Sequence, residues 1–158
     1  MSSTSSRRSF LQQAAASVGL VLSASAVAGL VAGCEKDETT PVSPGKSYDV
    51  SLAPFPELAA VGGIIQTTVA GVNNGDLVFI SRIDTSTFVV FSTICTHSGC
   101  GVDLPVDAAG NCICPCHKAE FARTNGAVIK QPTTGSATDL PRFSCTYNAS
   151  SNVLTITT

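Results

Sequence analysis

Downstream of residue 48, apolar and polar residues alternate in the way that is typical of β-strands. Three segments rich in Val, Ile, Phe and Thr are separated by turns that contain Gly, Asn, Asp and Ser. No stretch of this region has a sustained helical period. The three segments span residues 64–69, 76–82 and 88–94. An all-β antiparallel domain is therefore predicted for residues 48–158.

A β-hairpin is predicted at the C-terminal end. Phe143, Cys145 and Tyr147 are spaced two residues apart, so they share one face of a strand. A polar Ala-Ser-Ser-Asn turn follows, and Leu154 and Ile156 return on the partner strand. The two sets of apolar side chains are expected to cover the same core.

The first 33 residues have the pattern of a targeting signal. Residues 6–11, Ser-Arg-Arg-Ser-Phe-Leu, match a twin-arginine export signal, and an uncharged run rich in Ala and Val follows at 14–33. Val-Ala-Gly-Cys at its end resembles the cleavage box of bacterial lipoproteins, so Cys34 is predicted to carry a lipid and to begin the mature chain. The alternative is that the 20-residue run is retained as a transmembrane anchor.

Residues 34–47 are predicted to form a lipid-anchored tether, because they contain charged, Thr, Ser, Pro and Gly residues without an apolar period. With either anchor, the domain is expected on the periplasmic or extracellular face of a bacterial cell envelope. Without Arg7 and Arg8, seven of the nine basic residues remain against eleven acidic ones. Because they form no basic patch in the sequence, nucleic acid is not expected as a partner.

The residues with metal-binding chemistry are concentrated between positions 95 and 117, where five of the seven cysteines and both histidines occur. Cys95-x-His97 and Cys114-x-x-His117 could each present one thiolate and one imidazole. Two sulfurs and two nitrogens suit a Rieske [2Fe-2S] centre, in which two histidines replace two cysteines on one iron. They also suit a tetrahedral zinc ion, and a purely structural cysteine framework is a third interpretation.

Cys-Thr-His-Ser-Gly-Cys followed by Cys-Pro-Cys-His resembles the Rieske proteins of cytochrome bc-type complexes, over about residues 89–143. The resemblance implies that Cys95 and Cys114 bind one iron of a single [2Fe-2S] cluster and that His97 and His117 bind the other. It also implies a small cluster-binding subdomain on a larger β base.

Two cysteines beside these ligands, Cys100 and Cys116, form a disulfide in the family that this chain resembles, and the resemblance implies the same bond here. If Cys34 carries a lipid, Cys112 and Cys145 remain as an even pair in a compartment that permits disulfides. A second bond between these two is a weaker hypothesis.

The sequence departs from the high-potential members of that family near the cluster. Those members place a serine and a tyrosine where this chain has Ala119 and Phe121, and their hydroxyls donate hydrogen bonds to sulfur. Ser98 replaces a large apolar residue of the surface that meets quinone. Residues 131–134, Gln-Pro-Thr-Thr, resemble the proline-containing loop that covers the cluster. The missing hydroxyls predict a reduction potential in the lower to middle part of the Rieske range.

The resemblance implies one-electron transfer. Catalysis by the domain itself is not expected, since no nucleophile and base are paired in the sequence as an enzyme would require. The leading expectation is a subunit or partner in a quinol-to-cytochrome chain. Its donor would be a quinol or cytochrome b-type complex, and its acceptor a cytochrome of the c type. One alternative is the small Rieske subunit of a periplasmic molybdenum oxidase similar to arsenite oxidase, with that molybdoenzyme as the donor. Another is a zinc-binding lipoprotein without redox function.

Overall fold

The computed structural model describes residues 45–158. The predicted export signal, the lipid attachment at Cys34 and nearly all of the predicted tether lie outside the described residues. Within the described part of the chain, no helix has the length and apolarity needed to cross a bilayer.

Residues 45–158 form two antiparallel sheets and almost no helix, which confirms the predicted fold class. Two short 3-10 turns occur, at Pro56–Ala59 and Asn73–Gly75. The strands are β1 (Ser47–Ser51), β2 (Ile64–Thr68), β3 (Leu77–Arg82), β4 (Phe88–Ser92), β5 (Cys112–Ile113), β6 (Glu120–Phe121), β7 (Val128–Lys130), β8 (Arg142–Asn148) and β9 (Val153–Thr157).

The larger sheet has the order β1-β9-β8-β4-β3-β2 and is the base of the domain. Strand β8 joins its two halves, because its first residues pair with β4 and the rest of the strand pairs with β9. The predicted hairpin is confirmed: Cys145 lies opposite Ile156, and Tyr147 lies opposite Leu154. The three-stranded sheet β5-β6-β7 forms the second, smaller unit.

Strand β3 is buried on both faces, and this explains how the two units are joined. Val78 and Ile80 point into an apolar cluster within the base, whereas Phe79 belongs to a second cluster. The second cluster also contains Cys95 and Cys114. Because strand side chains alternate, β3 supplies one face to the base and the other to the cluster that contains Cys95 and Cys114.

Candidate metal centre

The first cluster loop is residues 95–100, and it is closed by two backbone hydrogen bonds. The N–H of Cys95 donates to the carbonyl oxygen of Cys100, and the N–H of Gly99 donates to the carbonyl oxygen of Cys95, both at 2.8 Å. Gly99 has a φ of +73°, a left-handed conformation that glycine adopts without steric cost. The loop is thus fixed at both ends and turns sharply before Cys100.

The second cluster loop, residues 114–119, repeats the same pattern. The N–H of Cys114 donates to the carbonyl oxygen of Ala119 at 2.9 Å, and the N–H of Lys118 donates to the carbonyl oxygen of Cys114 at 3.0 Å. Lys118 occupies the position of Gly99 in the first loop and has a φ of +58°. A lysine in this conformation is strained, since its Cβ crowds the backbone. Sequence reasoning did not detect this feature, because the repeat lies in hydrogen bonds and not in residue types.

A disulfide joins the two loops. The sulfurs of Cys100 and Cys116 are bonded, and their Cα atoms lie 6.6 Å apart. The bond connects the end of the first loop to the middle of the second, so it keeps the two loops side by side.

The second predicted disulfide is absent from the structure. Cys112 and Cys145 are both free thiols. Cys112 is fully buried in the apolar cluster that contains Phe121, whereas Cys145 packs against the cluster of the base and its thiol donates to the carbonyl oxygen of Phe88. The two cysteines therefore belong to different cores. Burial raises the pKa of Cys145, and it raises that of Cys112 to about 12, so both thiols stay protonated.

The thiols of Cys95 and Cys114 are buried neighbours. Burial raises the pKa of Cys95. The N–H groups of His97 and Ser98, which donate to its sulfur, act in the opposite direction, and the adjacent Cys114 raises the pKa further. A metal ion bound by this sulfur would compete with its proton and release it.

The two imidazoles form a second pair. The ring centroids of His97 and His117 lie 4.6 Å apart with the ring planes at 88°. Nδ1 of His117 is buried and has no hydrogen-bond partner. A bound metal ion is one species that would satisfy such a nitrogen. Nδ1 of His97 lies 2.9 Å from the hydroxyl of Ser98, so metal binding through this nitrogen would require that contact to break.

A covering loop, residues 131–137, contacts both histidines. The N–H of Thr133 donates to the carbonyl oxygen of His117 at 2.8 Å. Gly135 has a φ of +72°, and a Cβ there would come within 2.8 Å of Nε2 of His97. The side chain of Gln131 closes the loop by bonding the N–H and the carbonyl oxygen of Ala137. Sequence reasoning identified residues 131–134 but missed Gly135, whose only signal was a glycine after a Pro-Thr-Thr turn.

The donor atoms fit two metal ions better than one. A tetrahedral zinc with bonds of 2.0 to 2.3 Å needs its four ligand atoms within about 4 Å of one another. In residues 45–158, the one group of three or more donors within 4.8 Å is Cys100, Cys114 and Cys116, and two of these are joined in the disulfide. The free thiols and the imidazoles are instead arranged as separate pairs, as a [2Fe-2S] cluster with two ligands on each iron requires.

Residues 57–145, more than half of the chain, match the sequence model of the Rieske [2Fe-2S] domain. The chain belongs to the Rieske family. A Rieske domain binds a [2Fe-2S] cluster and transfers single electrons. This confirms the cofactor and the electron-transfer function that were predicted from the sequence.

The chain is similar to three named proteins. The first is the putative respiratory nitrate reductase subunit Rieske of Haloferax mediterranei, with 38% identity over 55 residues. These residues are 34% of this chain, and they cover about a quarter (24%) of that relative's length. The second is the cyanobacterial plasma membrane Rieske protein PetC3 from Synechocystis PCC 6803, whose crystal structure has a sequence 28% identical to this one. The TM-score is 0.44, and the match covers 58% of this chain and 86% of that one.

The third is the crystal structure of a putative NADH-dependent nitrite reductase small subunit from Mycobacterium tuberculosis. The identity is 14% and the TM-score 0.41, over 72% of this chain and 96% of that one.

The strain at Lys118 generates a prediction about stability. Lys118→Gly removes a steric cost of about 1 to 2 kcal/mol from the folded state. Glycine loses more backbone entropy on folding, which offsets roughly 0.5 to 1 kcal/mol of that gain. We expect the thermal midpoint of the cluster-loaded protein to rise by a few degrees. The matched variant Gly99→Ala, at the equivalent position of the first loop, should lower it. A lower midpoint for Lys118→Gly would contradict the assignment of strain.

Proposed function

We propose that Cys95 and Cys114 hold one iron of the cluster, and His97 and His117 the other, in a protein that carries single electrons outside the cytoplasm. The observation that carries the ligand set is the orphaned, buried Nδ1 of His117 beside a second imidazole, with two buried free thiols in the adjoining apolar cluster. When bound, the cluster supplies a centre that gains and loses one electron.

The protein's own residues provide shielding and hydrogen bonds at this site. Both thiols are almost completely buried, so their sulfurs are kept from water. The N–H groups of His97 and Ser98 donate to the sulfur of Cys95 and stabilise negative charge on it. The covering loop rests on the backbone of His117 and fixes the second cluster loop from outside. These contacts limit the freedom of both cluster loops.

The cellular setting of the proposal rests on the N-terminal sequence. The twin-arginine pattern and the Val-Ala-Gly-Cys sequence support export and a lipid on Cys34, so the domain would lie on the outer face of a bacterial membrane. We place it in a quinol-to-cytochrome chain with a cytochrome c-type acceptor. The name of the Haloferax relative, a subunit of a respiratory nitrate reductase, supports membership of a respiratory complex.

The ligand set is tested by spectroscopy. We expect the reduced protein to give the electron paramagnetic resonance spectrum of a Rieske centre, with a low average g value. His97→Cys and His117→Cys should each abolish it, because an imidazole on the second iron is lost. Cys145→Ser is the control and should keep the spectrum, since Cys145 lies in the core of the base. A colourless protein containing stoichiometric zinc, made in a host that assembles such clusters, would exclude the proposal.

The reduction potential depends on Ala119 and Phe121. Both are fully buried in the apolar cluster that contains Cys95 and Cys114, so hydroxyls placed there would be shielded from water. A hydrogen bond to a charged group contributes roughly 1.5 to 3 kcal/mol, which corresponds to about 60 to 130 mV for one electron. A donor to sulfur stabilises the reduced, more negative cluster and raises the potential.

We therefore expect Ala119→Ser with Phe121→Tyr to raise the potential by at least several tens of millivolts at fixed pH, as measured by voltammetry. Phe143→Tyr is the matched control, because Phe143 packs against the core of the base and should leave the potential unchanged. An unchanged or lower potential in the correctly folded double variant would show that these positions do not tune the cluster.

Membrane attachment is tested by metabolic labelling. Labelled fatty acid should enter the wild type and not Cys34→Ala, because the thiol of Cys34 is the predicted site of attachment. Mass spectrometry should find Cys34 as the first residue of the mature protein. A membrane-bound protein that still begins with Met1 would favour the alternative, a retained transmembrane run.

A further inference from the structure

Four sulfurs of the site are contiguous. Sγ of Cys114 lies within 4.8 Å of both sulfurs of the Cys100–Cys116 disulfide, and its other neighbour is the thiol of Cys95. Thiol–disulfide exchange begins from a free thiol placed beside a disulfide in this way. The same two thiols that are proposed to bind iron are therefore placed to act as nucleophiles when iron is absent.

We propose that the cluster-free protein isomerises its disulfide through Cys114 and Cys95. In the first step, the sulfur of Cys114 bonds to one sulfur of the Cys100–Cys116 bridge, that bridge breaks, and the other sulfur leaves as a thiol. In the second step, Cys95 attacks the mixed disulfide at Cys114 and releases the second thiol. The protons of the two attacking thiols end on the two leaving sulfurs.

The products are a Cys95–Cys114 disulfide and free thiols at Cys100 and Cys116. One disulfide and two thiols are present before and after, so the exchange needs no external oxidant or reductant. The isomer has lost both thiolates for iron and the bridge between the two cluster loops. It cannot bind the cluster in the proposed way.

This inference rests on the ligand set of the proposed function and adds a role for iron itself. Iron bound by Cys95 and Cys114 occupies both nucleophiles, so a loaded cluster protects the neighbouring bridge. A protein that loses its cluster in a compartment without reducing systems would pass into the isomer and not reload. The cluster would therefore have to be inserted before the Cys100–Cys116 bond forms.

The remaining two thiols of residues 45–158 serve as internal references. Cys112 is fully buried and Cys145 packs against the core of the base, and neither belongs to the group of sulfurs around the disulfide. Neither should change its oxidation state during the exchange.

The test compares full-length protein loaded with its cluster and the same protein stripped of iron by a chelator, both without oxygen. Samples are denatured at intervals directly into N-ethylmaleimide, and the labelled cysteines are identified by peptide mass spectrometry. Among residues 45–158 of the loaded protein, the label should be found at Cys95, Cys112, Cys114 and Cys145. In the stripped protein it should disappear from Cys95 and Cys114 and appear at Cys100 and Cys116 over minutes to hours.

The total number of labelled thiols should not change, which separates exchange from oxidation. A label that stays on Cys95 and Cys114 in the stripped protein, or a fall in total thiols without label at Cys100 or Cys116, would overturn the inference. Cys114→Ser should preserve the original bridge, and Cys112→Ser should exchange at the wild-type rate. If Cys114→Ser does not fold, the wild-type comparison still decides.

The outcome is separable from that of the proposed function. The spectrum of the loaded protein reports the ligand set, whereas the label distribution of the stripped protein reports the exchange. A normal Rieske spectrum with an unchanged label distribution would reject only the exchange.

Discussion

Closure of the two cluster loops is the constraint on which the rest of the site depends. Each loop must turn within five residues so that a thiol and an imidazole reach the same region, and the same two backbone hydrogen bonds close each one. This closure requires a left-handed residue at the fifth position, which is Gly99 in one loop and Lys118 in the other. A backbone requirement has thus overridden the side-chain preference at Lys118, since lysine is strained in a conformation that glycine adopts freely.

The base supports these loops through shared packing. Phe79 and Phe91 lie on neighbouring strands with their ring centroids 5.0 Å apart, and both belong to the apolar cluster that contains Cys95 and Cys114. The side chain of Gln66, on β2, donates a hydrogen bond of 2.7 Å to the carbonyl oxygen of Val102, which follows the first cluster loop. The sulfur pair is therefore held by the core of a sheet and not by loop residues alone, which keeps water from the sulfurs.

The arrangement of sulfurs brings two chemical demands into conflict. A bridge between the loops holds them side by side, and the proposed ligand set also needs free buried thiols for iron. The thiol of Cys114 consequently lies next to the disulfide, because Cys114 is only two residues from Cys116. This thiol is a potential nucleophile toward the bridge. In the proposed ligand set, iron would bind the nucleophile and so remove the conflict. The cofactor would then contribute to the stability of the covalent structure as well as to electron transfer.

The sequence alone was sufficient for the fold class and for the kind of chemistry. Alternation of apolar residues locates the main strands to within two residues, because the side-chain period of a strand is a local property. The spacing of Cys95, His97, Cys114 and His117 indicates two thiols and two imidazoles, and the family resemblance then implies the cluster. These inferences require only neighbouring residues, so they do not depend on the packing of the chain.

The tertiary structure decided which of these groups are adjacent. The sequence left Cys112 and Cys145 as an even pair, but they are in different cores, because each lies on a strand whose face is set by distant partners. It also did not identify Gly135 as the residue that approaches His97, or place Cys114 beside the bridge. Contacts of this kind depend on how separate loops are placed by two sheets. Distances between residues far apart in the chain follow from that packing and not from local spacing.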